Sequence, residues 1–197
     1  MDNKTYLEKA IERDDLGKVL IHVTMSIDGF IAKPNEDDWD WISKYDFDES
    51  DNMAEQILKE LGAVVLGNKD FRNNKVTAKD LPYGGVQFPH FVVTHNARQP
   101  LSIGTTTFQF LTGGVSQVIE IAKKAAGIKN VAILGHSIGQ QSLELGLVDE
   151  LVVHIYPVIF GNGLRLTDQL ACQPIELERV EIISTTQITS MRFRVIK

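Results

Sequence analysis

The stretch GLVDELVVHIYPVIFGNGLRL, residues 146–166, carries the clearest structural pattern in the chain. A glycine typical of a helix end precedes an acidic pair and a β-branched apolar run, which predicts a strand over 151–157. Pro157 breaks that run, and Gly-Asn-Gly at 161–163 predicts a tight turn. We therefore expect an edge strand and a packing surface here.

Upstream of this stretch, strand and helix patterns alternate. Continuous apolar runs predict buried strands, and apolar residues spaced i, i+3, i+4 predict helices. The predicted strands cover 18–25, 63–66, 90–94, 107–111 and 131–134. One predicted helix contains Met53 and ends at Gly62, a second runs from Ser116 to Gly127, and a short third helix has Ser137 and Gln140 as a capping-box pair.

Downstream, the chain changes to two strand-like segments, 178–186 and 191–196, joined by a turn at 187–190. The second segment alternates apolar residues with Arg192 and Arg194, so one face should be buried and the other wet. The element order predicts an α/β fold with a mixed, mainly parallel sheet, flanking helices on both faces and a C-terminal antiparallel hairpin.

Composition narrows the function classes. The chain has 197 residues, 43% hydrophobic and 23% charged, as expected for one globular domain. It has no apolar run near the roughly 20 residues of a membrane span. The net charge of −6 argues against nucleic-acid binding. Its one cysteine, Cys172, excludes an internal disulfide and suits a reducing, cytoplasmic location.

The first 17 residues are polar, rich in both charges and without the apolar core of a secretory signal. We expect residues 1–17 to be a helical or flexible extension and residues 18–197 to be the functional domain. An arm that clasps a second subunit is the alternative for the extension.

Ligands of such sheets bind at the carboxyl ends of the strands, which points to four loops. The first contains Ser26, Asp28 and Gly29, and it predicts either a plain Asp-Gly turn or a loop that covers a ligand. Two others begin at Gly67 and Gly135, where the amides of a following helix would favour a phosphate. The five histidines do not have metal-ligand spacing, and we expect no metal site.

These motifs, in this order, resemble the dihydrofolate-reductase superfamily. The resemblance is strongest to the reductase domain of the bifunctional riboflavin-biosynthesis deaminase/reductase and to its stand-alone bacterial relatives. Those proteins carry Ser-x-Asp-Gly after the first strand and a glycine after the second, matched here by 26–29 and Gly67. The most specific match is Gly-Leu-Val-Asp-Glu-Leu, Pro-Val and Gly-x-Gly within 146–163.

The resemblance implies an NADPH-dependent reductase with a dihydrofolate-reductase-like fold and a small-molecule substrate. That substrate would be a phosphoribosylamino-pyrimidine, including 5-amino-6-(5-phosphoribosylamino)uracil of riboflavin biosynthesis, or another heterocycle. The cofactor-binding residues carried over by position are Thr24, Ile31 and Ala32 for the nicotinamide, Gly67, Asn68, Lys69, Gly135, His136, Ser137 and Ile138 for the phosphates, and Thr94 and His95 for the adenosine end.

The catalytic acid has two candidates under this resemblance. Asp51 stands at a spacing before Gly67 comparable to that of the dihydrofolate-reductase carboxylate, although it also suits a first helical turn. Asp28 is the alternative. Trp39 and Trp41 would either stack on a planar substrate or cover the edge of the core.

A non-catalytic, nucleotide-binding dimeric relative is the competing hypothesis, because fold does not imply function. It is favoured by His136, which stands where the family usually has a second glycine. The resemblance also implies a homodimer, with 151–159 and the C-terminal hairpin as the candidate interface, and no nucleic-acid or membrane partner.

Overall fold

Apolar runs in the sequence become the strands of one sheet. The computed structural model describes residues 16–33, 41–42, 45, 53–73, 81–168, 170–171 and 174–197. The strands are β1 (Val19–Ser26), β2 (Leu61–Gly67), β3 (His90–Val93), β4 (Arg98–Ile103), β5 (Thr106–Leu111), β6 (Asn130–Leu134), β7 (Glu150–Tyr156), β8 (Leu177–Ser184) and β9 (Thr189–Val195). The helices are α1 (Met53–Glu60), α2 (Asn68–Asn73), α3 (Gly114–Ala126) and α4 (His136–Glu144).

The nine strands lie in the order β4-β5-β3-β2-β6-β1-β7-β9-β8. The central strands from β5 to β7 are parallel to one another. The strands β4, β9 and β8 are added antiparallel at the two sides. This arrangement confirms the predicted mainly parallel sheet with a C-terminal antiparallel hairpin.

Alternation along β1 separates two cores. Val19, Ile21 and Val23 face α3 and α4 in one cluster, whereas Leu20 faces Met53 and Ile57 of α1 in the other. Successive strand side chains point to opposite faces, so both faces of an apolar strand must be covered. The helices therefore lie on both faces of the sheet, as predicted.

The predicted end of the first helix is wrong. The helix stops at Glu60, and Gly62 lies inside β2 rather than at a helix C-terminus. A Cβ at Gly62 would stand 2.8 Å from the Cβ of Lys129, so the glycine permits close packing against the segment after α3. A glycine after an apolar helical stretch does not distinguish these two needs.

The predicted capping box is also wrong. Gly135 is the N-cap of α4, and Ser137 lies within the first turn. The Gln140 side chain donates to the Asp168 carbonyl oxygen, and Gln141 donates to Ser137. The helix begins one residue earlier than the Ser-x-x-Gln pattern indicates, because the glycine supplies the required backbone conformation.

Two further differences lie at the sides of the sheet. Sequence analysis misses β4, since its residues are mostly exposed and give no apolar period. The predicted wet face of the last strand is wrong at Arg192, whose side chain is only 12% exposed because it pairs with Glu60 and Glu150. No helix in the described ranges is long and apolar enough to cross a membrane.

Candidate functional site

The carboxyl ends of four adjacent strands bring most of the predicted cofactor residues into one row. The Leu66 and Leu134 register pair makes Gly67 and Gly135 neighbours on β2 and β6. β3, ending before Thr94, flanks one side, and β1 flanks the other. Three strand spacings cover about 14 Å, comparable to an extended dinucleotide. The row follows the order adenosine, phosphates, nicotinamide that the resemblance implies.

The start of α4 is the most open polar group of this row. Gly135 has φ 91° and ψ 147°, a conformation in which a side chain would be strained. No side chain from the described residues caps the helix, so the amides of His136, Ser137 and Ile138 point outward as donors. Ile138 is buried in the core and fixes this turn.

His136 adds an unpaired polar atom at the same place. Its Nε2 is buried, and no described group bonds to it. Buried polar atoms are usually satisfied, and each exception requires an explanation. Next to three free amides, an anionic oxygen is the partner that satisfies both features.

The neighbouring strand ends present smaller features. Gly67 is buried at the end of β2, directly before Asn68 and the exposed Lys69. The Thr94 hydroxyl accepts from the Asn96 amide at 3.2 Å and so fixes the turn after β3. That turn leaves His95 exposed at the edge.

The first loop is anchored by Asp28. The Ser26 hydroxyl donates to the Asp28 carboxylate at 2.6 Å, and the amides of Phe160 and Gly161 donate to it at 3.2 and 2.8 Å. The Ser26 hydrogen bond, followed by those amides, lowers the pKa of Asp28 to about 2. An acid this strong is ionised at neutral pH, and its contacts are those of a loop anchor.

A short antiparallel bridge continues this anchor. Ile31 donates its amide to the Leu164 carbonyl oxygen, and Leu164 donates back to Ala32. Gly163, at φ 149°, has no room for a Cβ, which would collide with the Ala32 carbonyl oxygen. The carbonyl of Ile31 and the amide of Ala32 lie outside this bridge.

The Ser-x-Asp-Gly and Gly-Asn-Gly motifs thus form a single unit, although they are about 130 residues apart in sequence. Sequence analysis assigned the second motif to packing and missed its contact with Asp28. The hydrogen-bonding capacity of Asp28 was the available signal, but its partners were backbone amides, which carry no sequence signature.

The remaining candidates divide. Asp51 and Trp39 lie outside the described residues, so both remain predictions. Trp41 is 5% exposed and packs edge-on against Tyr156 and Phe160, which supports its alternative as part of the core.

A chain of buried polar side chains lies beside Thr24 and was not foreseen. His22 Nε2 is 2.7 Å from His154 Nε2, His22 Nδ1 is 3.1 Å from the Tyr83 hydroxyl, and His154 Nδ1 is 2.6 Å from the Ser190 hydroxyl. Burial, and then the neighbouring His154, lower the pKa of His22 to about 3. The β1 and β7 register pairs Thr24 with His154.

Within the ranges that the structure describes, no group of three or more His, Cys, Asp or Glu residues is placed to hold a metal ion. The histidine pair is therefore considered as a hydrogen-bonded element.

Solved structures of low sequence identity share this fold. A protein from Shewanella sp. PV-4, provisionally named as a riboflavin biosynthesis protein, is 19% identical with a TM-score of 0.76, covering 91% of this chain and 99% of its own. The diaminohydroxyphosphoribosylaminopyrimidine deaminase/5-amino-6-(5-phosphoribosylamino)uracil reductase of Thermotoga maritima is 12% identical with a TM-score of 0.72, covering 94% of this chain and 58% of its own.

Dihydrofolate reductase from Enterococcus faecalis, solved with NADP(H), is 14% identical with a TM-score of 0.62, covering 92% of this chain and 98% of its own. The fold is therefore dihydrofolate-reductase-like, as the sequence predicted. The sequence model of the RibD C-terminal domain matches residues 17–190, nearly the whole described chain. The chain belongs to the RibD C-terminal domain family.

Proposed function

We propose that this protein is an NADPH-dependent reductase acting on a phosphoribosylamino-pyrimidine or a related small heterocycle. The observation that carries the proposal is the uncapped first turn of α4 behind Gly135, in register with Gly67. It offers a row of amide donors at the edge where this sheet architecture binds ligands.

The residues present fit a nicotinamide dinucleotide. The two glycines let the phosphates approach the backbone, and the three amides after Gly135 would hold the pyrophosphate. The orphaned Nε2 of His136 would gain an acceptor. Thr94 and His95 suit the adenosine end, whereas Thr24, Ile31 and Ala32 suit the nicotinamide. When bound, the reduced cofactor supplies the hydride.

The chain itself orients the reactants. Asp28, Ser26 and the bridge to Leu164 keep the loop after β1 in a single conformation beside the nicotinamide position. Asp28 stays ionised, so it is poorly suited to donate a proton to substrate at neutral pH. Asp51 remains the candidate for a substrate-binding carboxylate.

The substrate proposal rests on the family and on the named reaction of the Thermotoga maritima relative, 5-amino-6-(5-phosphoribosylamino)uracil reduction. Another heterocycle reduced in the manner of dihydrofolate is the alternative within the same class.

The competing proposal is a non-catalytic nucleotide-binding relative. Its support is the imidazole of His136 at the position where the backbone alone would meet a phosphate. This alternative predicts cofactor binding without turnover.

A homodimer in the cytoplasm completes the proposal. β8 is the outer strand of the sheet and exposes Leu177, Val180 and Ile182, each between 42% and 49% exposed. Unpaired outer strands with apolar side chains favour pairing with another chain. Light scattering at micromolar protein should give twice the chain mass of 22.0 kDa, and a monomer would contradict this part.

The test of function is loss of reduced-nicotinamide absorbance when protein, NADPH and 5-amino-6-(5-phosphoribosylamino)uracil are mixed, with dihydrofolate as a parallel substrate. Turnover of the pyrimidine with NADPH preferred over NADH is expected. Turnover of dihydrofolate alone would select the alternative substrate. NADPH binding without turnover of either would favour the non-catalytic relative.

A further inference from the structure

Four side chains form a continuous hydrogen-bonded chain across the sheet. Tyr83 contacts His22, His22 contacts His154, and His154 contacts Ser190, with donor-to-acceptor distances of 3.1, 2.7 and 2.6 Å. Each link joins groups that can both donate and accept a proton, because a neutral imidazole has one nitrogen of each kind. No link needs an ionised group.

The chain lies on the α1 face of the sheet, next to the expected nicotinamide position. His22 and Thr24 alternate with Ile21 and Val23, so they project to the same face as Leu20. Thr24 and His154 are register partners on β1 and β7. The polar chain therefore replaces apolar packing on the side of the sheet that adjoins the predicted site.

The backbone at Tyr83 supports a functional role for the chain. Tyr83 has φ 54°, the one positive value at a non-glycine residue in the described part of the protein. Such conformations are uncommon and concentrate at functional sites. The conformation places the phenol ring stacked on His22, with ring centroids 5.7 Å apart. The strain thus serves to present the Tyr83 hydroxyl to the histidine.

The chain has two complete hydrogen-bonding polarities. In one, Tyr83 donates to His22, which donates to His154, which donates to Ser190. In the other, every donor and acceptor is reversed, which leaves the Tyr83 hydroxyl hydrogen free to point away from the chain. Changing from the second polarity to the first moves one proton outward at Tyr83 without creating a charged histidine.

We propose that Tyr83 donates a proton to the substrate and that His22, His154 and Ser190 resupply it as a relay. This inference rests on the proposed reductase function. The buried neutral histidines then have a role that a carboxylate with a low pKa cannot fill.

The step balances as follows. A hydride from the reduced nicotinamide adds to the carbon of a C=N or C=O bond, and the π electron pair moves to the heteroatom. The heteroatom takes the Tyr83 proton as Tyr83 takes one from His22 Nδ1. His154 then donates to His22, Ser190 donates to His154, and solvent returns a proton to Ser190. The substrate gains two electrons and the nicotinamide loses two.

The first test needs no substrate. Nitrogen NMR of histidine-labelled full-length protein reports which ring nitrogen carries the proton. The relay requires both polarities to be accessible, so Nε2 of His22 and of His154 should each show a shift averaged between the protonated and bare values. One permanently protonated and one permanently bare Nε2 would overturn the relay, whatever the fate of the proposed function.

The second test uses single-turnover reduction of 5-amino-6-(5-phosphoribosylamino)uracil by bound NADPH. Tyr83→Phe keeps the ring, and it should slow this step about 100-fold while leaving the NADPH dissociation constant within a factor of two. His154→Gln should slow it comparably. Tyr45→Phe, in the aromatic cluster with Trp41, and His90→Gln, at a buried histidine outside the chain, are the matched controls.

The outcomes separate the two proposals. A wild-type protein that reduces neither substrate contradicts the reductase function, and the NMR result then decides the relay alone. An active wild type with Tyr83→Phe within threefold of its rate, and folded, contradicts the relay. A merely structural Tyr83 would also leave the solvent deuterium isotope effect unchanged, whereas the relay predicts that it changes in Tyr83→Phe.

Discussion

The two edges of the central sheet treat their polar groups in opposite ways. At the amino edge, the buried Glu150 accepts from Lys18 and Arg192, and Arg192 also bonds to Glu60 at the end of α1. At the carboxyl edge, the amides behind Gly135 and the Nε2 of His136 lack a described protein partner. The first edge is satisfied internally, whereas the second is complete only with a ligand.

This contrast assigns stability to one edge and binding to the other. The amino-edge network joins β1, α1, β7 and β9, so its loss should weaken the whole fold. The carboxyl-edge groups are polar groups left unsatisfied by folding, which suits a preformed anion site. Each prediction below tests whether a change at one edge leaves the property of the other edge intact.

The largest expected effect is at the amino edge. Glu150→Ala leaves Arg192, only 12% exposed, without its most buried carboxylate, and should lower the free energy of unfolding by about 3 kcal/mol. Urea unfolding measures the loss, and NADPH affinity of the folded variant should not change. Glu178→Ala, which removes an exposed pair with Arg194, should cost less than about 1 kcal/mol. Equal losses would refute the special role of the buried network.

The next effect is at the carboxyl edge. Gly135→Ala forces a side chain into φ 91° and ψ 147° and should cost about 2 kcal/mol of stability. It should also weaken NADPH binding at least about tenfold, because the amides that follow shift. Gly146→Ala, beyond the other end of α4 with φ 63° and open space around it, should lose some stability and retain affinity. Equal affinity in both variants would remove α4 from the site.

Acid should destabilise the protein through its buried histidines. Burial lowers the pKa of His90 to about 4, and burial with His154 lowers that of His22 to about 3. Since the unfolded chain binds these protons near pH 6.5, stability is fully present above that pH and falls as pH decreases toward 3 to 4. The loss should reach on the order of 2 kcal/mol per histidine at pH 5.

Urea midpoints at pH 7 and pH 5 measure this dependence, and His90→Gln should flatten it. A wild-type midpoint that does not change between these pH values would contradict the assignment of neutral buried histidines.

The smallest expected effect on stability is at Asp28. Asp28→Ala removes the acceptor for the Phe160 and Gly161 amides, so the segment around Arg165 should open more often. Limited trypsin digestion should cut faster after Arg165 in this variant than in wild type, with little change in the urea midpoint. Since the pKa of Asp28 is about 2, the anchor should persist in wild type until the pH falls below about 4. Unchanged cleavage would show that the bridge to Leu164 suffices.

Much of the fold follows from the sequence because apolar strands have to be covered. The runs over β1, β2 and β6 are apolar on both faces, which requires a central parallel sheet between two helical layers. β4 escapes prediction for the opposite reason, since Arg98 and its neighbours are exposed and pair only through the backbone.

The site is predictable only in part. Gly67 and Gly135 announce themselves as glycines that follow buried strands. The Asp28 anchor depends on backbone amides at Phe160 and Gly161, and no residue type encodes that. The link between His22 and His154 depends on the β1 and β7 register, which sequence patterns leave open.

The central claim is that the carboxyl edge is a dinucleotide site, and calorimetric titration with NADPH tests it most directly. Wild type should bind at micromolar concentration with a preference for NADPH over NADH, and Gly135→Ala should weaken that binding at least about tenfold while Glu150→Ala leaves it unchanged. Absence of binding to wild type at millimolar NADPH would contradict the account.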